Sequence, residues 1–157
     1  MASKKPKTVF NIFEGLNDSE KNSILSLGQE VIYNKGESIL IESVRTSEIY
    51  IITEGRVSID IGSVCFDNGI KAKIQLAVLR PGDIFGEMAF LENQRRTADV
   101  TAIDKVNVIK IDRNKLLGLF DKNNYIGYIF MRNLSFVLSQ RLEDTNFMLR
   151  DDIKRFS

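Results

Sequence analysis

From Val31 to Ile111 the apolar residues fall at alternate positions in short runs, and turn formers close one run after another. A helix buries positions three and four apart, whereas a strand with one face turned inward buries every second one, so this stretch is predicted to be a set of strands. Val31–Tyr33 is broken by Asn34-Lys35-Gly36, Ser38–Ile41 follows, and Glu48–Thr53 comes next. Glu54-Gly55 reverses the chain before Val57, Ile59 and Ile61, which alternate with Arg56, Ser58 and Asp60 and place one face in a core and the other in water. Asp67-Asn68-Gly69 supplies residues for a primed hairpin turn, with Ile74, Leu76 and Val78 alternating beyond it. Ala98, Val100 and Ala102, then Val106, Val108, Ile109 and Ile111, complete a pattern that belongs to a β-roll or sandwich.

Helical signals flank this region. Asn17 and Glu20 have the spacing of a capping box, which predicts a helix over Asp18–Leu27 that stops at Gly28, after an apolar patch of Val9, Phe10, Ile12, Phe13 and Leu16. Asp112 is placed to cap a helix from Arg113 to Phe120, Asp121–Asn124 reads as a polar hinge, and a long proline-free helix is predicted from Tyr125 to near the C-terminus. Met131, Leu134, Leu138, Leu142, Thr145 and Leu149 lie on one stripe of it. About 25 residues of helix reach nearly 40 Å, more than covering one domain requires. The distal half, from about Arg141, is therefore read as a surface for dimerisation or a link to a further domain. The alternative is an exposed tail bearing Arg141, Glu143, Asp144, Arg150, Asp151 and Asp152. The chain divides into a flexible N-terminus over 1–8, with Lys4, Lys5 and Lys7, a roll with its flanking helices over 9–122, and the long helix over 123–157.

Composition excludes more than it selects. At 157 residues the chain builds one core, and a net charge of +1 selects neither nucleic acid nor a membrane surface as partner. The single cysteine, Cys65, excludes an internal disulfide and reads as a small half-buried residue in a reducing compartment. With no signal peptide and no apolar run of membrane-spanning length, a cytoplasmic location is expected. The chain holds no histidine, so it cannot build an imidazole metal centre or use histidine as the base for a serine or cysteine nucleophile. No nucleophile, base and orienting group fall together, so no catalytic residue, metal or cofactor is assigned.

The chemistry concentrates in Leu79–Ala102, LRPGDIFGEMAFLENQRRTADVTA. Pro81-Gly82-Asp83 forces a turn, and Phe85-Gly86-Glu87-Met88-Ala89 reads as a short helical turn opened by glycine. The first amides of such a turn lack internal partners and favour an anion. Arg95 and Arg96 precede the strand at Thr97–Ala102, and an arginine there can fold back over the turn and fork onto two oxygens. Glu87 suits a neutral donor such as a sugar hydroxyl. Amides, guanidinium and carboxylate together describe a pocket for a phosphorylated ribose.

The segment FGEMAFLENQRRTADV resembles the phosphate-binding cassette of cyclic nucleotide-binding domains of bacterial type, the family of cAMP receptor proteins and protein kinase A regulatory subunits. KGESI and EIYIITEGRVSI are similar to the same family's opening strands. The resemblance implies an antiparallel jelly-roll-like β-roll, mainly β, with an N-terminal helix, a C-terminal hinge helix and a long last helix. It implies that Gly86 and the amides up to Ala89 hold a cyclic phosphate, Glu87 the ribose 2′-hydroxyl and Arg96 the exocyclic oxygens. The ligand-binding set is then Phe85, Gly86, Glu87, Met88, Ala89, Arg96, Thr97 and Ala98, with Phe130, Met131 and Leu134 as candidate lid over the purine. Arg95 stands where many relatives carry proline, Asp99 where many carry a small hydroxyl residue, and Ser43 where Glu-Gly is usual; Asp99 brings a charge to the pocket only if its strand slips by one position.

The expected function is a cyclic mononucleotide sensor, for cAMP before cGMP, that transmits binding through its C-terminal helices; Thr97 can accept from a guanine 2-amino group. Partners expected are the nucleotide and either a second copy of the chain or a downstream output domain. Two other readings stand beside it: a ligand-free roll that dimerises or docks a partner, and the sensor fragment of a larger enzyme, channel or transcription factor. The chain closes at IKRFS inside a predicted helix with no further helix-turn-helix pattern.

Overall fold

The computed structural model describes residues 11–65, 69, 71–93 and 95–156. The expected flexible lead-in, Val9 and Phe10, the Asp67-Asn68 turn residues and the Cys65 side chain lie outside the described residues. The order of elements is α1 (Asp18–Leu25), β1 (Gln29–Tyr33), β2 (Ser38–Leu40), β3 (Ile49–Glu54), β4 (Val57–Cys65), β5 (Lys71–Leu79), β6 (Ile84–Phe85), α2 (Glu87–Glu92), β7 (Asp99–Ala102), β8 (Val106–Ile111), α3 (Arg113–Lys122) and α4 (Asn124–Phe156).

The eight strands form two antiparallel four-stranded sheets, β1-β8-β3-β6 and β2-β7-β4-β5, so the chain crosses repeatedly from one sheet to the other as the expected jelly-roll-like β-roll does. Strand β3 shows why the fold closes. Ile49 and Ile51 point to the helices, where they pack with Ile24, Leu116, Phe120 and Phe130. Tyr50 and Ile52 point between the sheets, where they meet Val57, Phe85, Val100 and Val108. Both faces of this strand are buried, which is why its sequence IYII carries no polar alternation. Ser58, expected on the wet face of β4, is buried, and its hydroxyl bonds to Asp60 and to the Gln75 amide beside register shifts in the β4–β5 ladder.

The caps form as their residues require. Asn17 accepts from the Glu20 amide and Glu20 accepts in return from the Asn17 amide, both at 2.9 Å. Asp112 accepts from Asn114 and Lys115 to open α3. The hinge expected over Asp121–Asn124 shrinks to Asn123, because α3 continues to Lys122 and α4 starts at Asn124. Asn123 serves both helices, donating its amide to the Leu119 carbonyl and accepting from Ile126 with its side chain. Helix α4 runs 33 residues, about 50 Å, and its first third is part of the core through Ile126, Ile129, Phe130 and Leu134. Asn133, fully buried, ties α4 to the segment before α1 by donating to the carbonyls of Ile12 and Glu14, each at 2.8 Å. Among the described residues no helix is long and apolar enough to cross a membrane.

Candidate functional site

The turn between β5 and β6 delivers the chain to Gly86, whose backbone adopts φ +81° as it opens α2. A side chain there would collide with the Glu48 carbonyl and with Arg96, so the position needs glycine for both its dihedral and its closeness. Phe90 donates to the Gly86 carbonyl, and the amides of Glu87 to Ala89 form the open end of the helix with no side-chain cap over them.

Arg96 is 4% exposed, and acceptors surround its guanidinium. Nε donates to the Thr46 hydroxyl at 2.6 Å, Nη1 to the Gly86 carbonyl at 2.8 Å, and Nη2 to the Glu48 carbonyl at 2.8 Å and the Glu48 carboxylate at 3.4 Å. Burial pushes the group down from its usual range, against the pull of Tyr50, Glu48 and Glu87. Its central carbon lies 5.9 Å from the centroid of the Tyr50 ring, which stacks in parallel on Phe85 at 4.8 Å. Burial raises the Glu48 carboxyl, but its own backbone N–H, Lys110 and Arg96 outweigh that and hold it below the ordinary carboxylate range. Burial, with Glu48 and Tyr33, pushes the Tyr50 hydroxyl well up, so it stays protonated.

Gly86 and Arg96 border a cavity of about 350 Å³, a volume in the range of small-molecule sites. Phe85, Gly86, Glu87, Met88, Ala89, Arg96, Thr97 and Ala98 all line it. Its apolar walls come from Leu40, Ile59, Ile61, Leu76, Leu79 and Val100 of the second sheet. The result is a slot polar at the α2 end and apolar opposite, which suits a flat, partly apolar ligand carrying one anionic group.

Phe130, Met131 and Leu134 do not line the cavity. Phe130 and Leu134 are core residues under the helices, and Met131 packs against that core, because α4 meets the first sheet with this turn and reaches the cavity only further along. The α4 residues that border the cavity are Arg141, Asp144 and Thr145, at helical spacing on one face. Arg141 places Nη1 2.7 Å from Oε1 of Glu87 and donates its other nitrogen to the Ile84 carbonyl. In the sequence these three look like polar residues of an exposed helix; the signal available was Thr145 interrupting an otherwise leucine-rich stripe. Asp99 does not border the cavity, since Lys73 and the Glu42 amide hold its carboxylate, and these two, Lys73 first, keep it below its ordinary range. Ser43 takes φ +70°, the left-handed turn that Glu-Gly would supply without strain, and its amide donates to the Arg96 carbonyl. Thr46 and Glu48, which orient Arg96, were not singled out in the sequence.

The profile of the cyclic nucleotide-binding domain matches residues 30–123. The chain is 26% identical over 139 residues to the cyclic AMP receptor protein of Thermus thermophilus, covering 88% of this chain and 60% of that protein. It is 29% identical over 140 residues to a CRP-like cAMP-activated global transcriptional regulator of Mycobacterium tuberculosis, covering 89% of this chain and 58% of that one. The crystal structure of the Thermus thermophilus catabolite activator protein superposes with a TM-score of 0.73 at 26% identity, over 92% of this chain and 63% of the other. The chain thus spans about three fifths of the length of the relatives it matches.

Proposed function

Because the chain belongs to the cyclic nucleotide-binding domain family, we propose that it is a regulatory sensor that binds a cyclic purine mononucleotide, cAMP before cGMP, and carries out no chemistry of its own. One observation carries this reading: a buried guanidinium, the open amides of a glycine-led turn and a buried carboxylate border one cavity that is otherwise apolar. The cyclic phosphate lies against the amides of Glu87 to Ala89 and against Arg96, the ribose hydroxyl against Glu87, and the purine along Ile59, Leu76 and Val100. A guanidinium has five N–H groups, and protein acceptors engage one on Nε, one on Nη1 and two on Nη2 of Arg96. The ligand draws on the remaining Nη1 hydrogen and on the Nη2 hydrogen that the Glu48 carboxylate holds at 3.4 Å. Base preference for adenine follows the names of the relatives, both of which refer to cAMP.

Transmission runs through α4, the element that both enters the core and borders the cavity. Its distal half exposes Leu142, Leu149 and Ile153 on one face, a surface suited to a second copy of this chain or to a downstream output domain. Titration calorimetry with cAMP, cGMP and 5′-AMP tests the assignment. Saturable one-to-one binding of a cyclic nucleotide, tighter than 5′-AMP, is expected; a chain that binds none of them is a ligand-free interaction domain instead.

A further inference from the structure

We propose that Glu48 competes with the ligand's phosphate for Arg96 and that Lys110 draws the Glu48 carboxylate off the guanidinium, so that a lysine outside the cavity sets phosphate affinity. The inference rests on the cyclic nucleotide reading above. Lys110 of β8 stands opposite Tyr50 of β3 in the antiparallel register, and Glu48 precedes Tyr50 by two residues. Residues two apart along an extended chain share a face, so Glu48 and Lys110 are diagonal neighbours across the two strands. The carboxylate divides between two cations: Oε1 lies 3.4 Å from Nζ of Lys110, and Oε2 lies 3.4 Å from Nη2 of Arg96. Arg96 borders the cavity, whereas neither Glu48 nor Lys110 does. Lys110 is thus a positioning residue, acting on Glu48 and through it on Arg96.

The closer partners of Arg96 are neutral. The Thr46 hydroxyl and the Gly86 and Glu48 carbonyls accept from it at 2.6, 2.8 and 2.8 Å, which fixes the guanidinium without cancelling its charge. The Glu48 carboxylate, at 3.4 Å, lies past the usual length of a charge-assisted hydrogen bond, and the Nη2 hydrogen it holds is one that the phosphate draws on. Carboxylate and phosphate are rivals for that donor. Lys110 biases the rivalry by pulling on the oxygen turned from Arg96. Burial raises the Glu48 carboxyl; among the groups that outweigh it, the backbone N–H of Glu48 comes first and Lys110 acts more strongly than Arg96. Arg96, Lys110 and Glu48 together keep an excess of positive charge for an anion. Without Lys110, Glu48 swings onto Nη2 and the remaining pair is neutral. The Lys110 side chain is 36% exposed, so replacing it leaves the core intact.

The test is calorimetry on the full chain with cAMP and cGMP, for the wild type, Lys110→Met, Glu48→Gln and the double variant, each checked for folding by thermal denaturation. The thresholds apply to the nucleotide that the wild type binds more tightly. Glu48→Gln removes the rival and is expected to bind about threefold tighter than the wild type, while Lys110→Met binds about threefold or more weaker. The loss caused by Lys110→Met is expected to be at least about threefold larger with Glu48 present than in the Glu48→Gln background. A smaller difference overturns the proposal, because the lysine then acts on the phosphate directly or only supports β8. Glu48→Gln binding no tighter than the wild type overturns it as well, since Glu48 then orients Arg96 without competing for it. If Lys110→Met or Glu48→Gln does not fold, Lys110→Gln or Glu48→Ala replaces it under the same thresholds. A wild type that binds neither nucleotide defeats the cyclic nucleotide reading itself, an outcome distinct from binding without this coupling.

Discussion

Nη1 of Arg96 lies 2.8 Å from the carbonyl oxygen of Gly86, and a methyl group added to Gly86 would stand 2.7 Å from that same nitrogen. The glycine and the arginine are thus fitted to each other, the one by having no side chain and the other by filling the space. Gly86→Ala forces the guanidinium out of its cradle and strains a left-handed backbone by about 1 kcal/mol. Cyclic nucleotide affinity is expected to fall by roughly tenfold or more, the worth of a charged hydrogen bond, with a lower melting temperature. Calorimetry and thermal denaturation of the same preparation measure the two effects separately.

Ser43 holds φ +70° in a loop whose amide bonds to the Arg96 carbonyl. Ser43→Gly relieves the strain of a left-handed residue and gives back part of that gain through the freer unfolded chain, for a net stabilisation of about 0.5 kcal/mol. Urea denaturation should show the midpoint rising with an unchanged slope. Glycine at the other left-handed position, Asn93 at φ +52°, is expected to gain less, since asparagine tolerates that conformation.

Asn133, fully buried, satisfies the carbonyls of buried Ile12 and of Glu14. Asn133→Leu keeps the volume and strands both acceptors, at about 2 to 4 kcal/mol in total. Chemical denaturation is the measurement, and a loss under 1 kcal/mol shows that the Ile12–Glu14 segment finds other donors.

Glu48 links Arg96 to Lys110, with Nζ of the lysine 3.4 Å from its carboxylate. Its pKa in the folded chain is below the ordinary 4.5, so its contribution to stability is complete above that pH and is lost as pH falls through the lower folded value. Glu48→Gln removes this dependence. The variant is expected to be less stable than the wild type near neutrality, with the two melting temperatures converging as the pH drops toward 3. Parallel curves across that range would show that Glu48 contributes no linkage.

The roll was legible because its strands alternate around turn formers, and the cassette because its glycine, glutamate and arginine stand at spacings that resemble those of the cyclic nucleotide-binding family. Three features were not. The lid residues Phe130, Met131 and Leu134 were chosen by apolar character, but an apolar helical residue has no way to announce which of two cavities it faces, and these face the core. Arg141 reads as a solvated charge until the path of α4 brings it to Glu87, a residue far away in the chain. The hinge was placed on four polar residues, yet Asn123 alone suffices, because its backbone and side chain cap both helices.

In the proposed complex the Arg96 guanidinium and the amides of the Gly86 turn grip a cyclic phosphate. Titration calorimetry of cAMP into the wild type and Arg96→Lys decides it, since lysine keeps the charge and loses the fork. Saturable one-to-one binding by the wild type, weakened about ten- to a hundredfold in the variant, is the expected result. Binding by Arg96→Lys within threefold of the wild type, with both proteins folded, contradicts it.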